Sequence, residues 1–494
     1  NLFESLHHTW VYMQHVAANP RRPLPRGYGL ADPIGNPRDI PPEMLPPHQL
    51  DLLLRELLIH AQLQPAGSRT LSRWNDLATL INAVKAHADL AASDNEDSEI
   101  YDTLHRLIHQ QRPWQTAIIK RDMVRWWLML QSPEVRRRAE SALGMTLEQY
   151  FFLAFVAVTM AEQNSVWKRF DHYREYGIED AAADAFFARL SDTPEGHREA
   201  QVRAQVHTRL WEYSWNPLHG KPLILLPSRS GAEYACPAPP ILHRRLYSGI
   251  FFDLVGTPGF PEELGNAFDA LTGLTLKRGF PGLNADKPAP YPGPRGVQHH
   301  GADWLGCDGT ANVFVECKVK RMTVAAKVLS DAEIFAREID TLARAVVQNY
   351  RNIQEAFDGK SSWDLNELPT YNIVTTLEDW IIFSPTSRRQ LDAAIDQRLR
   401  EADLDPGLVR RVPYTICCAY ELEQLVFAWA DHGVQTVMSA RHEGEHHQWM
   451  VDPFLNARFA ESKSHRRAHE LFDSEAEAMT TTIIGIARLG RGKA

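Results

Sequence analysis

Long hydrophobic runs are missing from this sequence. The 494 residues contain no stretch of about 18 apolar residues, which is the length that a membrane-spanning helix requires. The most apolar run, residues 150–160, is too short to span a bilayer and is typical of a buried core helix. The first residues show no basic region followed by an apolar one, so no signal peptide is visible. We therefore expect a cytoplasmic protein without a membrane partner.

Cysteine is also scarce. Five cysteines in a chain of this length do not form a disulfide framework, and no CxxC pair suggests a zinc site. Cys307 and Cys317 fall in predicted strands, while Cys417 and Cys418 are adjacent. We predict that the cysteines are reduced, buried thiols, as is usual in the cytosol.

The chain has no excess of positive charge. Its formal net charge is −9 at pH 7, which argues against a surface coated in basic residues for general nucleic-acid binding. A local basic groove would still be enough to hold a phosphate backbone. At roughly 150 residues per domain, the length predicts about two to four domains.

The first part of the chain has a helical pattern. Residues 20–47 are rich in Pro, Arg and Gly, which predicts an irregular segment. From about residue 48 to 215, apolar residues recur at helical spacing, as in Leu50, Leu53, Leu54 and Leu57. Turns are predicted at Pro65–Gly67, Pro113, Pro133 and Pro194–Gly196. We predict that residues 1–215 form an all-α domain.

After residue 215 the pattern alternates between strands and helices. The predicted strands are 222–226, 233–236, 302–305, 312–318, 371–376, 380–383 and 414–418, with turns at Ser228–Gly231 and Gly309. The predicted helices are 240–254, 260–275, 331–357, 387–402 and 422–429. This order predicts an α/β core with a central mixed β-sheet flanked by helices. We assign this domain to residues 216–435, followed by a C-terminal extension at residues 436–494.

Two acids and a lysine stand on the predicted hairpin of residues 302–318. Asp303 lies on its first strand, and Glu316 and Lys318 lie on its second strand after an apolar segment. Because residues i and i+2 of a strand share one face, Glu316 and Lys318 point the same way while Cys317 points the opposite way. A short turn at Gly309 would place Asp303 beside Glu316.

That arrangement suits the hydrolysis of phosphodiesters. Two neighbouring carboxylates cannot both stay ionised unless a cation pairs with them. Mg²⁺ supplies such a charge, prefers oxygen ligands, and can orient water and neutralise charge on phosphorus. An adjacent lysine can hold the attacking water or stabilise the transition state.

The pattern of an Asp, a hairpin and a Glu-x-Lys resembles the signature of the PD-(D/E)xK, or restriction-endonuclease-like, nuclease superfamily. Glu316 follows Asp303 by 13 residues, which is typical of members with a short hairpin. Residues 265–269 resemble the helix on which the family places an accessory acid, and residues 348–350 resemble the Gln/Tyr-bearing helix that follows the hairpin in many members. The resemblance covers roughly residues 220–430. It departs from the family in having Asp in place of the accessory Glu, in lacking the Pro before Asp303, and in its short Gln-to-Tyr spacing.

The resemblance implies a restriction-endonuclease-like core that binds Mg²⁺ (or Mn²⁺). Asp303, Glu316 and the carbonyl of Cys317 would hold the metal, and Lys318 would position water or stabilise the transition state. Asp269 would assist through a second metal or a bound water, with Glu263 as the alternative accessory acid. Gln348 would orient groups around the metal ligands.

The resemblance also implies an endonuclease, with DNA favoured over RNA as the substrate. One alternative is an endonuclease of the same fold that cuts RNA, for example tRNA. A catalytically inactive scaffold that binds nucleic acid or protein is the alternative of a different class. By analogy with bacterial anti-phage defence effectors, we expect residues 1–215 to sense a trigger such as a protein, and a homo-oligomer is compatible with that role.

Basic residues follow the hairpin. Arg337, Arg344 and Arg351 recur every seven residues, or two helical turns, and so share one helix face. Together with Lys320 and Arg321, they predict a track for substrate phosphates in a protein that is acidic overall. A solvated face of salt bridges is the alternative.

Other polar residues have a more ordinary interpretation. Asp308 precedes Gly309 and is predicted to form the turn, and Tyr350 is predicted to lie in the core. His442, His446 and His447 could suggest a metal site, but their Gly-containing polar segment favours a surface loop.

Overall fold

The structure is a computed structural model of the chain. It describes residues 1–18, 20–31, 37–38, 40–41, 44–63, 70–92, 100–114, 116–228, 231–292, 298–361 and 363–491. The turn predicted at Pro65–Gly67 and the middle of the turn predicted at Ser228–Gly231 lie outside the described residues.

The chain divides into two compact units. The first comprises Asn1–Glu99, Arg106–Phe260 and Glu475–Ala494, and the second comprises Ile100–His105 and Pro261–Ser474. Their limits differ from the domain limits predicted at 215/216 and 435/436. Most of the predicted C-terminal extension belongs to the second unit.

The first unit is mainly helical. Its helices are α1 (Leu2–Val16), α2 (Pro47–His60), α3 (Trp74–Ala92), the second half of α4 (Ile100–Gln111), α5 (Thr116–Leu130), α6 (Pro133–Leu143), α7 (Leu147–Gln163), α8 (Asp180–Leu190), α9 (Pro194–Ala204), α10 (Pro239–Leu246) and α11 (Ile250–Leu254). Helix α7 begins with a capping box in which Thr146 and Gln149 satisfy each other's backbone amides. Most of its apolar residues, such as Phe151 and Leu153, are buried in the core, as predicted, whereas Phe155 is exposed.

Short strands make the first unit less purely helical than predicted. β1 (Leu30–Ala31) pairs with β2 (Pro37–Arg38), and four further strands form a second sheet in the order β3-β6-β5-β4. Those strands are β3 (Val166–Lys168), β4 (Ser191–Asp192), β5 (Leu223–Leu226) and β6 (Glu233–Ala235). The expectation of an all-α region at residues 1–215 is therefore wrong in detail. The hairpin predicted near residues 222–236 forms, but its open edges pair with β3 and β4 rather than with the α/β core.

The second unit is the α/β part of the chain. Its helices are α12 (Phe260–Gly279), α13 (Val324–Lys327), α14 (Ala332–Phe357), α15 (Pro385–Glu401), α16 (Leu408–Arg411), α17 (Ala419–His432), α18 (Val434–His442), α19 (Val451–Arg458) and α20 (Ser464–Glu470). Its strands are β7 (Tyr291–Pro292), β8 (Gln298–His299), β9 (Trp304–Cys307), β10 (Asn312–Lys318), β11 (Thr370–Thr376) and β12 (Tyr414–Cys418). Helix α21 (Asp473–Arg491) ends the described chain.

A mixed four-stranded sheet forms the centre of the second unit, in the order β9-β10-β11-β12. β9 and β10 are an antiparallel hairpin, whereas β10, β11 and β12 run parallel. Parallel neighbouring strands need a crossover connection. Helix α14 lies in the connection from β10 to β11, and helix α15 lies in the connection from β11 to β12. The prediction of an α/β domain with a mixed sheet is confirmed at this level.

Helix α14 is fastened to the sheet by buried amides. Asn349 donates from Nδ2 to the Phe314 carbonyl at 2.9 Å and to Oδ1 of Asn372 at 2.8 Å. Asn372 in turn donates to the Val346 carbonyl at 3.1 Å. Because buried amides are costly unless they are bonded, this network fixes how the helix sits on β10 and β11.

Two predicted strands differ from the observed ones. The strand predicted at residues 302–305 lies at Trp304–Cys307, because Asp308 accepts amide bonds from Thr310 and Ala311 and closes the turn only after Cys307. Residues 380–383 form no strand. Ile381 has a φ of 51°, outside the extended region, and its apolar neighbours are buried in a loop instead.

The cysteines are free thiols. Cys236, Cys417 and Cys418 are buried, as predicted, whereas Cys307 and Cys317 are only half-buried in their strands. Within the described ranges, none of the helices alone has the length and apolarity that a bilayer crossing needs. Helices α6 and α7, bent by 63° at their junction, pass that criterion as a pair.

Two glycines of α12 allow a test of how this helix packs on the hairpin. A Cβ on Gly273 would lie 1.8 Å from the Trp304 ring, whereas a Cβ on Gly265 would meet nothing within 4 Å. We expect Gly273→Ala to lower the free energy of unfolding by about 1–3 kcal/mol through overpacking. Gly265→Ala, the matched control, should raise it by about 0.5–1 kcal/mol. Chemical denaturation measures both, and equal effects would contradict this packing.

Candidate active site

The candidate site forms where the β9–β10 ladder ends. The antiparallel register stops at the pair Val315–Trp304, so the last three residues of β10 have no strand partner on that side. Asp303, which immediately precedes β9, takes the place of a strand there. Its Oδ2 accepts a hydrogen bond from the Cys317 amide at 2.7 Å. Asp303 is thereby held against the end of β10, as the sequence predicted.

The Cys317 carbonyl faces the same edge. In an extended strand the N–H and C=O of one residue point to one side, as the exchanged bonds of an antiparallel pair require. The neighbouring Lys318 carbonyl accepts from Leu377 on the opposite side, which agrees with this alternation. Burial together with nearby Asp303 raises the pKa of the Cys317 thiol well above its usual value, so this sulfur stays protonated.

Glu316 is the most buried acid of the site. Only 2% of its surface is exposed, and its Oε2 has no hydrogen-bond partner. Burial, and then the proximity of Asp303, raises the pKa of Glu316 to about 7, while Lys318 opposes the shift. Burial also raises the pKa of Asp303, with Asp269 adding to the effect. Negative charge is therefore crowded into a poorly solvated place.

Lys318 compensates part of that charge. Its Nζ lies 2.6 Å from Glu316 Oε1 and donates to Gln348 Oε1 at 3.2 Å. Glu316 and Lys318 share a strand face, as predicted, and α14 brings Gln348 to that face. The predicted grouping of Gln348 with the hairpin residues is present in the structure.

Asp269, rather than Glu263, approaches the two hairpin acids. The Trp304 indole donates to Asp269 Oδ1 at 2.6 Å, and Lys287 forms an ion pair with Oδ2. Asp269 interacts electrostatically with both Asp303 and Glu316. Glu263, about two turns earlier on α12, accepts a bond from Asn266 instead.

Sequence patterns did not indicate Lys287 or Trp304 as site residues. The ammonium groups of Lys277 and Lys287 lie 5.1 and 5.4 Å from the Trp304 ring centroid, a cation–π arrangement beside Asp269. Lys287 belongs to a Pro-rich segment without periodicity, so no local signal could have identified it.

The five predicted basic residues have two kinds of environment. Lys320 pairs with Glu338 at 3.4 Å and Arg321 pairs with Glu378, which corresponds to the salt-bridged alternative. Arg337, Arg344 and Arg351 are exposed on α14. Arg344 lies 3.5 Å from Asp340.

The arginines of α14 share a face with Gln348. At about 1.5 Å of rise per residue, Arg344 and Arg351 lie roughly 6 and 4.5 Å along the axis from Gln348, on either side of it. The contact between Gln348 and Lys318 therefore places this basic stripe next to the carboxylates.

Three other expectations can be compared with the structure. Asp308 is a turn residue, and it also accepts from the Val434 amide at 2.8 Å at the start of α18. Tyr350 is buried and donates to the Val412 carbonyl at 2.8 Å, as predicted for a core residue. The surface loop expected at His442–His447 is partly wrong, because His442 ends helix α18 and stacks on Tyr371.

The donor set is suitable for a hard divalent cation. Asp303, Glu316 and the Cys317 carbonyl offer oxygen ligands, and the unpartnered Glu316 Oε2 is an acceptor that a cation would satisfy. In the part of the chain that the structure describes, no group of three or more His, Cys, Asp or Glu side chains could hold a metal. The proposed ligand set differs from such a group, because only two of its ligands are side chains and the third is the backbone carbonyl of Cys317.

Comparisons with models of known protein families, with curated proteins and with solved structures gave no match for this chain.

The burial of Glu316 makes a prediction about stability and pH. When folding raises the pKa of an acid, its protonated form stabilises the folded protein fully at pH values below the unfolded-state pKa. This stabilisation is lost as the pH rises through the pKa of the folded state. For Glu316 the window runs from 4.5 to about 7. We expect Glu316→Gln to stabilise the metal-free protein above pH 7 by on the order of 2–3 kcal/mol. The gain should shrink toward pH 5, as measured by thermal unfolding in EDTA; a gain independent of pH would contradict the assignment.

Proposed function

We propose that this protein is a Mg²⁺-dependent nuclease that hydrolyses phosphodiester bonds of nucleic acid. The observation that carries the proposal is the placement of Asp303, Glu316 and Lys318 at one unpaired strand end. Glu316 keeps an unpartnered buried oxygen there. The mixed sheet with a carboxylate-bearing hairpin, and the resemblance to PD-(D/E)xK nucleases, support it.

The chain's own groups have distinct roles in this proposal. Asp303, Glu316 and the Cys317 carbonyl would hold the cation, with Asp269 as the accessory acid. Mg²⁺, when bound, supplies the charge that activates water and neutralises the phosphate. Lys318 then exchanges part of its contact with Glu316 for the attacking water or a non-bridging phosphate oxygen, where its charge favours the transition state. Gln348 keeps the ammonium on that face of the strand by accepting from it.

The arginines of α14 would guide the substrate. Arg344 and Arg351 are exposed on the face that presents Gln348, so a phosphate backbone lying along the helix would reach the carboxylates. We favour DNA as the substrate, and structured RNA is the alternative that a cleavage assay separates. By analogy with defence effectors, we propose that the helical region of residues 1–215 senses a trigger.

The first test separates turnover from metal binding. Lys318→Ala should preserve Mn²⁺ binding but lower the cleavage rate by roughly 10²–10³, because one electrostatic contact to the transition state is lost. Lys318→Arg should not fully restore it, since a guanidinium fork does not replace a compact ammonium. Glu316→Gln should lose metal affinity itself, as calorimetry with Mn²⁺ would show.

The matched control is Lys360→Ala, an exposed lysine of the same unit paired with Asp358. Cleavage of plasmid, single-stranded DNA and tRNA in Mg²⁺ is followed on gels. If wild type cuts one of these and Lys318→Ala cuts it equally fast, the assignment fails and the inactive scaffold becomes the better interpretation.

The second test concerns the basic stripe. Arg351→Glu should weaken substrate binding and reduce the slope of log affinity against log salt by about 1, since each phosphate contact on a duplex releases close to one counterion. Arg466→Glu is the control, because Arg466 is an exposed arginine of helix α20, where it pairs with Glu470 of the same helix. Equal slopes for the two variants would exclude the stripe as a phosphate track.

A further inference from the structure

A pocket of about 640 Å³ lies at the far edge of the sheet in the second unit. Edge strand β12, helix α15 from Pro385 to Asp396, helix α16 and the segment around His442 surround it. The strand order places β11 between this edge and the carboxylate-bearing β10. The volume is in the range of about 300–1,000 Å³ that binds small molecules.

Arginine dominates the charge of this pocket. Arg388, Arg389 and Arg410 line it, and no carboxylate of the described residues lies within ion-pair distance of any of the three. The two lining acids are otherwise engaged. Asp392 accepts from the Tyr414 hydroxyl at 2.6 Å, and Asp396 pairs with Arg400 at 2.6 Å.

Arg388 in the pocket wall and Arg441 beside it have buried guanidinium atoms without partners. Nε of Arg388 is buried and has no hydrogen-bond partner. Arg441, next to the lining residue His442, is 2% exposed and leaves Nε and Nη1 unpartnered. Burial, and then Arg388, lowers the pKa of Arg441 to about 10. Burial followed by Arg441 lowers the pKa of His442 to about 3, so His442 is neutral.

The residues that line the pocket suit a phosphorylated ligand with a flat group. Guanidinium forks match phosphate oxygens in pairs, and the pocket carries three of them, on Arg388, Arg389 and Arg410. The rings of Tyr414 and His442 line the same space and can stack on a base. Asp392 and Asp396 in the wall disfavour a continuous nucleic-acid strand.

We propose that this pocket binds a small organic phosphate of nucleotide size, held by Arg388, Arg389 and Arg410. The site is separate from the carboxylate cluster and does not depend on the proposed nuclease activity. Its ligand is recognised through the phosphate, while the ring-lined part of the pocket adds affinity for the organic group.

Calorimetry on the full chain tests the proposal with AMP, ATP, sodium phosphate and a short single-stranded DNA. EDTA is present, so that divalent cations do not recruit phosphate to the carboxylates. We expect AMP or ATP to bind more tightly than orthophosphate. Arg389→Ala and Arg410→Ala should each weaken that binding about tenfold or more, since each removes a charged hydrogen bond.

Arg411→Ala is the matched control for Arg410→Ala. Arg411 is adjacent on α16 but pairs with Asp405 outside the pocket, so its loss should leave binding unchanged. Arg389 and Arg410 are exposed, which keeps their variants informative even if Arg388→Ala disturbs the fold.

Four outcomes would overturn the proposal. These are no binding of any phosphate probe at roughly millimolar concentration, equal binding by the Arg410 and Arg411 variants, orthophosphate binding as tightly as AMP, and binding of the oligonucleotide without binding of the mononucleotides.

Discussion

The burial of Glu316 at the end of the central strand β10 is the constraint around which the second unit is organised. A carboxylate in this position is costly unless it is paired, and a second acid, Asp303, stands close enough to raise its pKa further. Lys318 offsets only part of this cost, because its ammonium contacts Oε1 of Glu316 and leaves Oε2 without a partner. Such an arrangement lowers the stability of the folded protein. We therefore interpret these residues as a functional site rather than a structural one.

The neighbouring elements are placed so that this site can exist. β9 stops pairing at Trp304, which frees the edge of β10 for the Asp303 carboxylate. Gly273 allows the Trp304 ring to lie against α12, and the indole then orients Asp269. The buried Asn349–Asn372 contact sets the position of α14 on the sheet, and with it the positions of Gln348 and the arginine stripe.

The two edges of one sheet carry opposite chemistry. At the β9–β10 side, acids lie close together and a cation would satisfy them. At the β12 edge, arginines lie close together without carboxylate partners, and an anion would satisfy them. Helix α14, which presents Gln348 to Lys318, is joined to α15 by a paired contact between Arg398 and Asp340. Helix α15, whose earlier turns line the basic pocket, is thus bonded through its last turn to α14.

The sequence by itself determined the local features of this protein. The long helix α14, strand β12, the shared face of Glu316 and Lys318, and the turn at Asp308 follow from side-chain periodicity and turn chemistry, which depend on neighbouring residues. Tertiary structure decided what depends on distant ones. The hairpin at residues 222–236 joined the first unit because its edges pair with β3 and β4, and the apolar residues 380–383 became a buried loop. Lys287 and the arginines of the β12 pocket come together only through packing, because no local pattern encodes which surfaces will meet.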